Sequence, residues 1–122
     1  MTSKRILVVD DEKAILSLLK TSIELMCPEH QVVAVSNGLI ALAELRQQPF
    51  ELILTDFEMP LLNGLDFADT VRQFCPDIPI ILMTGSQSDE ILSRAGSMNL
   101  AGFLAKPFAI KQLKEILQQN GI

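Results

Sequence analysis

Aromatic residues are scarce in this chain, which contains no tryptophan and no tyrosine. Intrinsic fluorescence therefore offers no report of metal binding. The longest apolar runs fall far short of the roughly 20 residues that a membrane-spanning helix needs, so we expect no membrane span. The chain does not open on a basic-then-apolar leader, because Lys4 and Arg5 run directly into a short strand pattern. Together these absences favour a soluble, cytoplasmic protein.

Positive charge and cysteine are also sparse. The chain has 10 Lys and Arg against 15 Asp and Glu, for a net charge of -5. That sign is wrong for binding a phosphate backbone, so we expect no direct nucleic-acid binding by this domain. Cys27 and Cys75 lack metal-site spacing and are expected to be free thiols. The single histidine, His30, lies in a Pro-Glu-His-Gln connection and is expected to be exposed in a loop.

Strand-like and helix-like segments alternate through all 122 residues, a length that fits one domain. Short apolar runs typical of buried strands occupy residues 5–9, 31–35, 51–55, 78–83 and 101–105. Each run is followed by a helical stripe, of which the weakest lies between about 88 and 97. Five β/α units predict a doubly wound parallel α/β sheet with helices on both faces. We expect a single domain over residues 1–122, with its core at about 4–118.

Four charged residues stand where predicted strands end. Asp10 and Asp11 follow the first strand, Asp56 follows the third, and Lys106 follows the fifth. The carboxyl ends of parallel strands meet at one edge of the sheet, where open α/β sheets bind ligands. Two carboxylates about 4 Å apart repel by roughly 4 kcal/mol at an effective dielectric near 20, so three of them need a proton or a cation. The pattern predicts a divalent metal site beside a lysine, which suits phosphoryl chemistry.

These residues, with several others in the same order, resemble the receiver domains of two-component response regulators. The full set of anchors is Asp10-Asp11, Asp56, Met59-Pro60, Asn63-Gly64, Thr84 and Lys106-Pro107. The resemblance covers nearly the whole chain. It implies a flavodoxin-like sheet with strand order 2-1-3-4-5, which makes the first and third strands neighbours. It also implies a cis peptide bond between Lys106 and Pro107.

The resemblance assigns roles to the acidic residues. Asp56 would accept a phosphoryl group from a phosphohistidine donor, so a histidine kinase or phosphotransfer protein of a phosphorelay would be a partner. Mg²⁺ would be held by side-chain oxygens of Asp11 and Asp56 and by the backbone carbonyl of Glu58, with Asp10 acting through a bound water. Oxygen ligands of this kind are those that Mg²⁺ takes in proteins. Such a domain also promotes its own phosphorylation and dephosphorylation.

The resemblance likewise implies a switch. Lys106 and the Thr84 hydroxyl would each bind a phosphate oxygen. Phe103 stands where such domains often carry a tyrosine that moves inward as the threonine shifts, and phenylalanine can fill the same cavity without a hydroxyl. Downstream proteins would bind the face formed by helix 4, strand 5 and helix 5. Three cations lie near that face and fit a solvated surface equally well: Arg94, Lys111 and Lys114.

Two positions vary within the family, and a third departs from its usual pattern. Glu58 and Ser86 occupy the positions that flank the phosphate and tune its hydrolysis in such domains. Ala109 precedes the last helix, where a capping Asp or Ser is usual. Because a lost cap costs about 1 kcal/mol, we expect the start of this helix to fray.

Two other functions remain open on the same fold. A receiver-like scaffold that binds partners without phosphorylation would lack Mg²⁺ affinity, or its partner binding would be indifferent to Asp56→Asn. A flavin-binding electron carrier is disfavoured, because Asp10-Asp11-Glu12 would repel a phosphate at the first β/α turn.

Overall fold

The computed structural model describes residues 3–85, 89–96 and 98–122. Within them, strands and helices alternate along the chain. The strands are β1 Arg5–Val9, β2 Gln31–Val35, β3 Leu52–Asp56, β4 Ile80–Thr84 and β5 Gly102–Ala105. The helices are α1 Lys13–Met26, α2 Gly38–Gln47, α3 Gly64–Phe74, α4 Asp89–Gly96 and α5 Ile110–Gln119. Among the described residues, no helix is both long and apolar enough to cross a bilayer.

The strands form one parallel sheet in the order β2-β1-β3-β4-β5, which confirms the predicted fold class and strand order. β1 and β3 are neighbours, and their register pairs Val9 with Thr55. The residues that follow this pair, Asp10 and Asp56, are therefore brought to the same edge of the sheet. β4 and β5 end together in the same way, because Thr84 pairs with Ala105.

Both faces of the sheet are covered, which explains why the strands read as unbroken apolar runs. Ile6 and Val8 of β1 pack into a cluster with residues of α1 and α5. Leu7 and Val9 point the other way, into a cluster with residues of α2 and α3. All four side chains have no solvent exposure. Burying each aliphatic side chain of this size contributes about 1.5–3 kcal/mol, so the two clusters hold the strand ends in place.

The two cysteines lie on opposite sides of the sheet. Cys27 follows the last residue of α1, and Cys75 follows the last residue of α3 and packs against the α2/α3 cluster. Both are free thiols. Burial, with a smaller contribution from the Glu29 charge, raises the pKa of the Cys27 thiol. A raised thiol pKa lowers the thiolate fraction, so Cys27 is a poor nucleophile.

Several strand boundaries differ from the sequence pattern by one or two residues; β3 and β5, for example, begin at Leu52 and Gly102 instead of Glu51 and Ala101. β4 begins at Ile80 instead of Ile78, because Pro79 has no N–H to donate to the ladder; its carbonyl instead accepts a bond from the Ile53 N–H. β3 includes Asp56 as its last residue. The predicted ends of the fourth helix near 88 and 97, and Ser86, lie outside the described residues.

His30 lies in the loop between α1 and β2, as expected, but the expectation that it is exposed is wrong. Its side chain is only 7% exposed. Nδ1 accepts a hydrogen bond from the Lys4 backbone N–H at 3.0 Å, which ties the loop after α1 to the start of β1. Lys4 is 26 residues away along the chain, so the local sequence around His30 gave no sign of this partner.

The start of α5 is supported in an unexpected way. Ala109 is the N-cap residue and its side chain makes no capping bond, as expected for alanine. However, the Gln112 side chain accepts a hydrogen bond from the Ala109 N–H at 2.8 Å, which is half of a capping box. This bond offsets part of the missing cap, and fraying of the first turn stays a prediction.

Candidate functional site

Lys106 lies between two buried carboxylates at the carboxyl edge of the sheet. Its Nζ is 2.7 Å from Asp10 Oδ2 and 3.2 Å from Asp56 Oδ1. The Lys106 backbone N–H donates to the Thr84 carbonyl oxygen at 2.9 Å, which extends the β4–β5 ladder by one residue. The Lys106–Pro107 peptide bond is cis. The structure thus brings the predicted lysine and two of the three predicted aspartates into direct contact.

Asp10 uses both of its carboxylate oxygens. Oδ2 binds Lys106, and Oδ1 accepts the Glu12 backbone N–H at 2.9 Å. The Asp10 backbone N–H donates to the Val35 carbonyl, which fixes the end of β1 against β2. Asp10 has no solvent exposure, and these bonds fix the position of its carboxylate.

Three carboxylates form a cluster suited to a metal ion. Asp10, Asp11 and Asp56 each offer an oxygen, and these oxygens lie within 4.8 Å of one another. Asp10 and Asp56 are buried, whereas Asp11 is exposed at the opening. Lys106 brings one positive charge to three negative ones, so negative charge remains in excess. The set of oxygen donors and the excess charge both fit Mg²⁺, which takes one or two carboxylates and keeps several waters.

The pKa values at the site reflect this crowding. Burial, and then repulsion from Asp10, raise the pKa of Asp56 to about 6, although Lys106 and a backbone hydrogen bond from Glu58 act in the opposite direction. Burial by itself would lower the pKa of Lys106. Its hydrogen bond to Asp10 and the charges of Asp56 and Asp10 outweigh burial, so the pKa of Lys106 is raised. Lys106 is therefore positively charged at neutral pH.

A cavity of about 590 Å³ opens onto this cluster, within the size range of small-ligand sites. Its polar side is formed by Lys106 and by acidic residues: Asp11, Glu12, Asp56 and Glu58. Its other side is apolar and comes from α1 and from the segment after the cis peptide bond: Ile15, Leu18, Pro107 and Phe108. We call the charged residues of this lining the charged floor of the cavity and the apolar residues its apolar wall.

The remaining predicted residues surround the cluster without all touching it. Thr84 ends β4 beside it and is 3% exposed. Phe103, on β5, is 42% exposed and faces outward. Arg94 forms an ion pair with Asp66 of α3 at 3.0 Å, whereas Lys111 and Lys114 are exposed on α5.

Comparison with known proteins identifies the family. Residues 6–118 match the family model described as the response regulator receiver domain. The chain belongs to this family. Receiver domains work in two-component signal transduction, interact with histidine kinases and downstream effectors, and generally use Mg²⁺.

Individual relatives agree with this assignment. The chain is 34% identical over 112 residues to a protein-glutamate methylesterase/protein-glutamine glutaminase of Rhodospirillum centenum, with 89% of this chain and 28% of that protein covered. It is 30% identical to the receiver protein CpdR of Brucella abortus, with 90% of each chain covered. The solved structure of Vibrio cholerae CheY4 superposes with a TM-score of 0.90 at 27% identity, covering 97% of this chain and 98% of that one. The chain thus spans about a quarter of the methylesterase and most of CpdR.

One charged neighbour of Lys106, Glu12, is not among the site residues predicted from the sequence. Glu12 Oε1 lies 3.8 Å from Lys106 Nζ, so a third carboxylate approaches the lysine from the rim. The position of Glu12 directly after the aspartate pair could have indicated that it lies near the site. In the structure, the Asp10 side chain accepts the Glu12 backbone N–H and holds Glu12 at the opening.

Proposed function

We propose that this receiver domain is a phosphorylation-controlled switch in which Asp56 accepts a phosphoryl group from a phosphohistidine donor. The observation that carries the proposal is the position of Lys106 Nζ, 3.2 Å from the Asp56 carboxylate in a cluster of three aspartates. A charged lysine at that distance is placed to meet a phosphoryl oxygen once the group is attached to Asp56. Phosphoryl transfer depends mainly on positioning and charge neutralisation, which this cluster provides.

The chemistry assigned to the chain is a direct displacement. A carboxylate oxygen of Asp56 attacks the phosphorus as the bond from phosphorus to the donor's histidine nitrogen breaks. The electron pair of that bond stays on the nitrogen, and the ring leaves as neutral imidazole because its other nitrogen carries a proton taken from solvent. Lys106 keeps its hydrogen bond to Asp10 and donates to a phosphoryl oxygen. The Thr84 hydroxyl donates to another. Asp10 holds the lysine at the correct depth through the 2.7 Å bond.

Mg²⁺, when bound, would neutralise negative charge on the phosphoryl oxygens and the carboxylates. The residues proposed to hold it are Asp11 and Asp56 through their side chains and Glu58 through its backbone carbonyl, with Asp10 acting through a water. The excess of carboxylates over ammonium groups at the site supports this assignment, because the uncompensated charge favours a divalent cation. Glu58 also lines the cavity, and its proximity to Asp56 supports the proposal that it influences the hydrolysis of the phosphate.

The proposed output is a change at the face formed by α4, β5 and α5. Phosphate draws the Thr84 hydroxyl toward the site, and the Phe103 ring, which is outward in this structure, fills the space behind it. A downstream protein would recognise the changed face and bind to it. We further propose that the domain, taken as one unit over residues 1–122, acts in the cytoplasm.

The phosphodonor partner, a histidine kinase or phosphotransfer protein, is proposed to approach through the cavity. The apolar wall, in which Leu18 is 45% exposed, provides surface for a protein partner beside the charged floor. Exposed apolar side chains next to a reactive group are common features of protein-binding sites.

Incubation with acetyl phosphate and Mg²⁺, followed by intact mass spectrometry, tests the assignment. The wild-type protein and the Asp69→Asn control, which changes an exposed aspartate of α3, should each gain one phosphoryl group. Asp56→Asn should gain none. An unmodified wild-type protein, or equal modification of Asp56→Asn, would contradict the proposal and favour a scaffold that works without phosphorylation.

A further inference from the structure

Gly64, the first residue of α3, touches the backbone of the proposed phosphoacceptor. A Cβ atom built on Gly64 would lie 2.3 Å from the Asp56 carbonyl oxygen and 2.8 Å from Phe57 Cα. Both are main-chain atoms, which cannot rotate aside as the end of a side chain can. The Gly64 N–H also donates to the Phe57 carbonyl at 2.8 Å. The first turn of α3 therefore rests directly on the peptide that leaves Asp56.

The same segment is held from two further directions. The Phe57 N–H donates to the Met83 carbonyl of β4 at 2.9 Å, and the Thr55 hydroxyl donates to the Asp56 carbonyl at 3.1 Å. The Asn63 side chain caps α3 by accepting the Asp66 N–H at 2.9 Å. The backbone from Asp56 to Phe57 is thus confined between β4 and the start of α3, with no room for a methyl group.

Resting on the function proposed above, we propose that Gly64 is a positioning residue for the receiver site. Its lack of a side chain lets α3 pack directly on the Asp56 backbone, which holds the Asp56 carboxylate against Lys106 and the Glu58 carbonyl, two residues later, where it would be a ligand of Mg²⁺. A methyl group at Gly64 pushes this backbone away from α3. Misplacing reacting groups by roughly 1 Å can lower a rate about 100-fold, so the effect on phosphorylation is large.

The other glycines provide a graded set of controls. A Cβ on Gly38 would approach only side-chain atoms, with Leu62 Cδ2 nearest at 3.1 Å, and one on Gly96 would meet nothing within 4 Å. Gly38→Ala adds a methyl group against Leu62 in the loop between β3 and α3, and Gly96→Ala changes an exposed residue of α4. Both should keep the site intact.

The experiment compares Gly64→Ala with these controls and with Asn63→Ala, which removes the α3 cap without adding atoms against Asp56. Four readouts are used: the thermal midpoint by circular dichroism, the amide shifts of Phe57 and Glu58 in metal-free NMR spectra, the Mg²⁺ dissociation constant by NMR titration, and the rate of phosphorylation by acetyl phosphate. Gly64→Ala should unfold cooperatively, shift both amides and bind Mg²⁺ more weakly, and its phosphorylation by acetyl phosphate should slow by about 100-fold. Asn63→Ala should melt at a lower temperature yet bind Mg²⁺ like the wild type.

Wild-type Mg²⁺ affinity and phosphorylation in Gly64→Ala would overturn the proposal. So would loss of its cooperative unfolding transition, since Gly64 would then serve the fold as a whole, or an equal loss of Mg²⁺ affinity in Asn63→Ala. If the wild-type protein takes no phosphoryl group while Gly64→Ala still weakens Mg²⁺ binding, the proposed function fails and the positioning role stands.

Discussion

Replacing Asp56 with asparagine is expected to stabilise the metal-free protein at pH 8. The pKa of Asp56 is raised from 3.8 to about 6, a shift of about 2 units that already includes the favourable contact with Lys106. At about 1.4 kcal/mol per unit, the ionised carboxylate destabilises the fold by roughly 3 kcal/mol. Asparagine has nearly the same shape without the charge, so Asp56→Asn should raise the free energy of unfolding by about that amount.

The pH dependence distinguishes this electrostatic effect from a packing effect. Between about pH 6 and 3.8 the native protein holds a proton on Asp56 that the unfolded chain has released, so wild-type stability rises as pH falls through this window. The advantage of Asp56→Asn should therefore be complete at pH 8 and nearly gone at pH 4. Urea unfolding followed by circular dichroism measures it, since the chain lacks Trp and Tyr.

Asp69→Asn serves as the matched control, because it removes an exposed charge and should change stability by less than about 0.5 kcal/mol. An Asp56→Asn protein that is no more stable than the wild type at pH 8 would refute the reasoning. It would mean that the ion pair with Lys106 outweighs the burial of Asp56 and its repulsion from Asp10.

Three further predictions concern the same site and α5. Lys106→Met should destabilise the protein by about 3 kcal/mol at pH 8, because two buried carboxylates lose their cation, and the loss should shrink at pH 5 as measured by urea unfolding. Mg²⁺ at 100 times its dissociation constant should stabilise the wild type by about 2.7 kcal/mol in thermal melts, and Asp11→Asn should gain clearly less. Ala109→Ser should add about 0.5–1 kcal/mol by supplying an N-cap oxygen that accepts an N–H of the first turn; an unchanged melting temperature would contradict this prediction.

The position of the site was predictable because it depends on where strands end. Apolar runs buried on both faces define parallel strands, and the residue after each run must lie at the carboxyl edge. Asp10, Asp56 and Lys106 follow such runs, so their meeting required only the strand order, which the resemblance supplied and the structure confirms.

Features that depend on close three-dimensional contacts were not predictable in the same way. The burial of His30 depends on a main-chain donor 26 residues away, and the approach of Gly64 to Asp56 depends on the path of a loop. The sequence position of Glu12 after the aspartate pair indicates that it lies near the opening, but its 3.8 Å approach to Lys106 depends on a side-chain rotamer at an exposed rim. These distances are set by how the elements pack, so they cannot be inferred from the residue types along the chain.

An NMR titration of the ¹⁵N-labelled protein, first with Mg²⁺ and then with beryllofluoride as a phosphoryl mimic, tests the central claim most directly. We expect Mg²⁺ to shift the amides around Asp11, Asp56 and Glu58, and beryllofluoride to shift those of Thr84 and of β5 around Phe103. Asp56→Asn should abolish the second set of shifts. A wild-type spectrum unchanged by beryllofluoride, or the same changes in Asp56→Asn, would contradict the account.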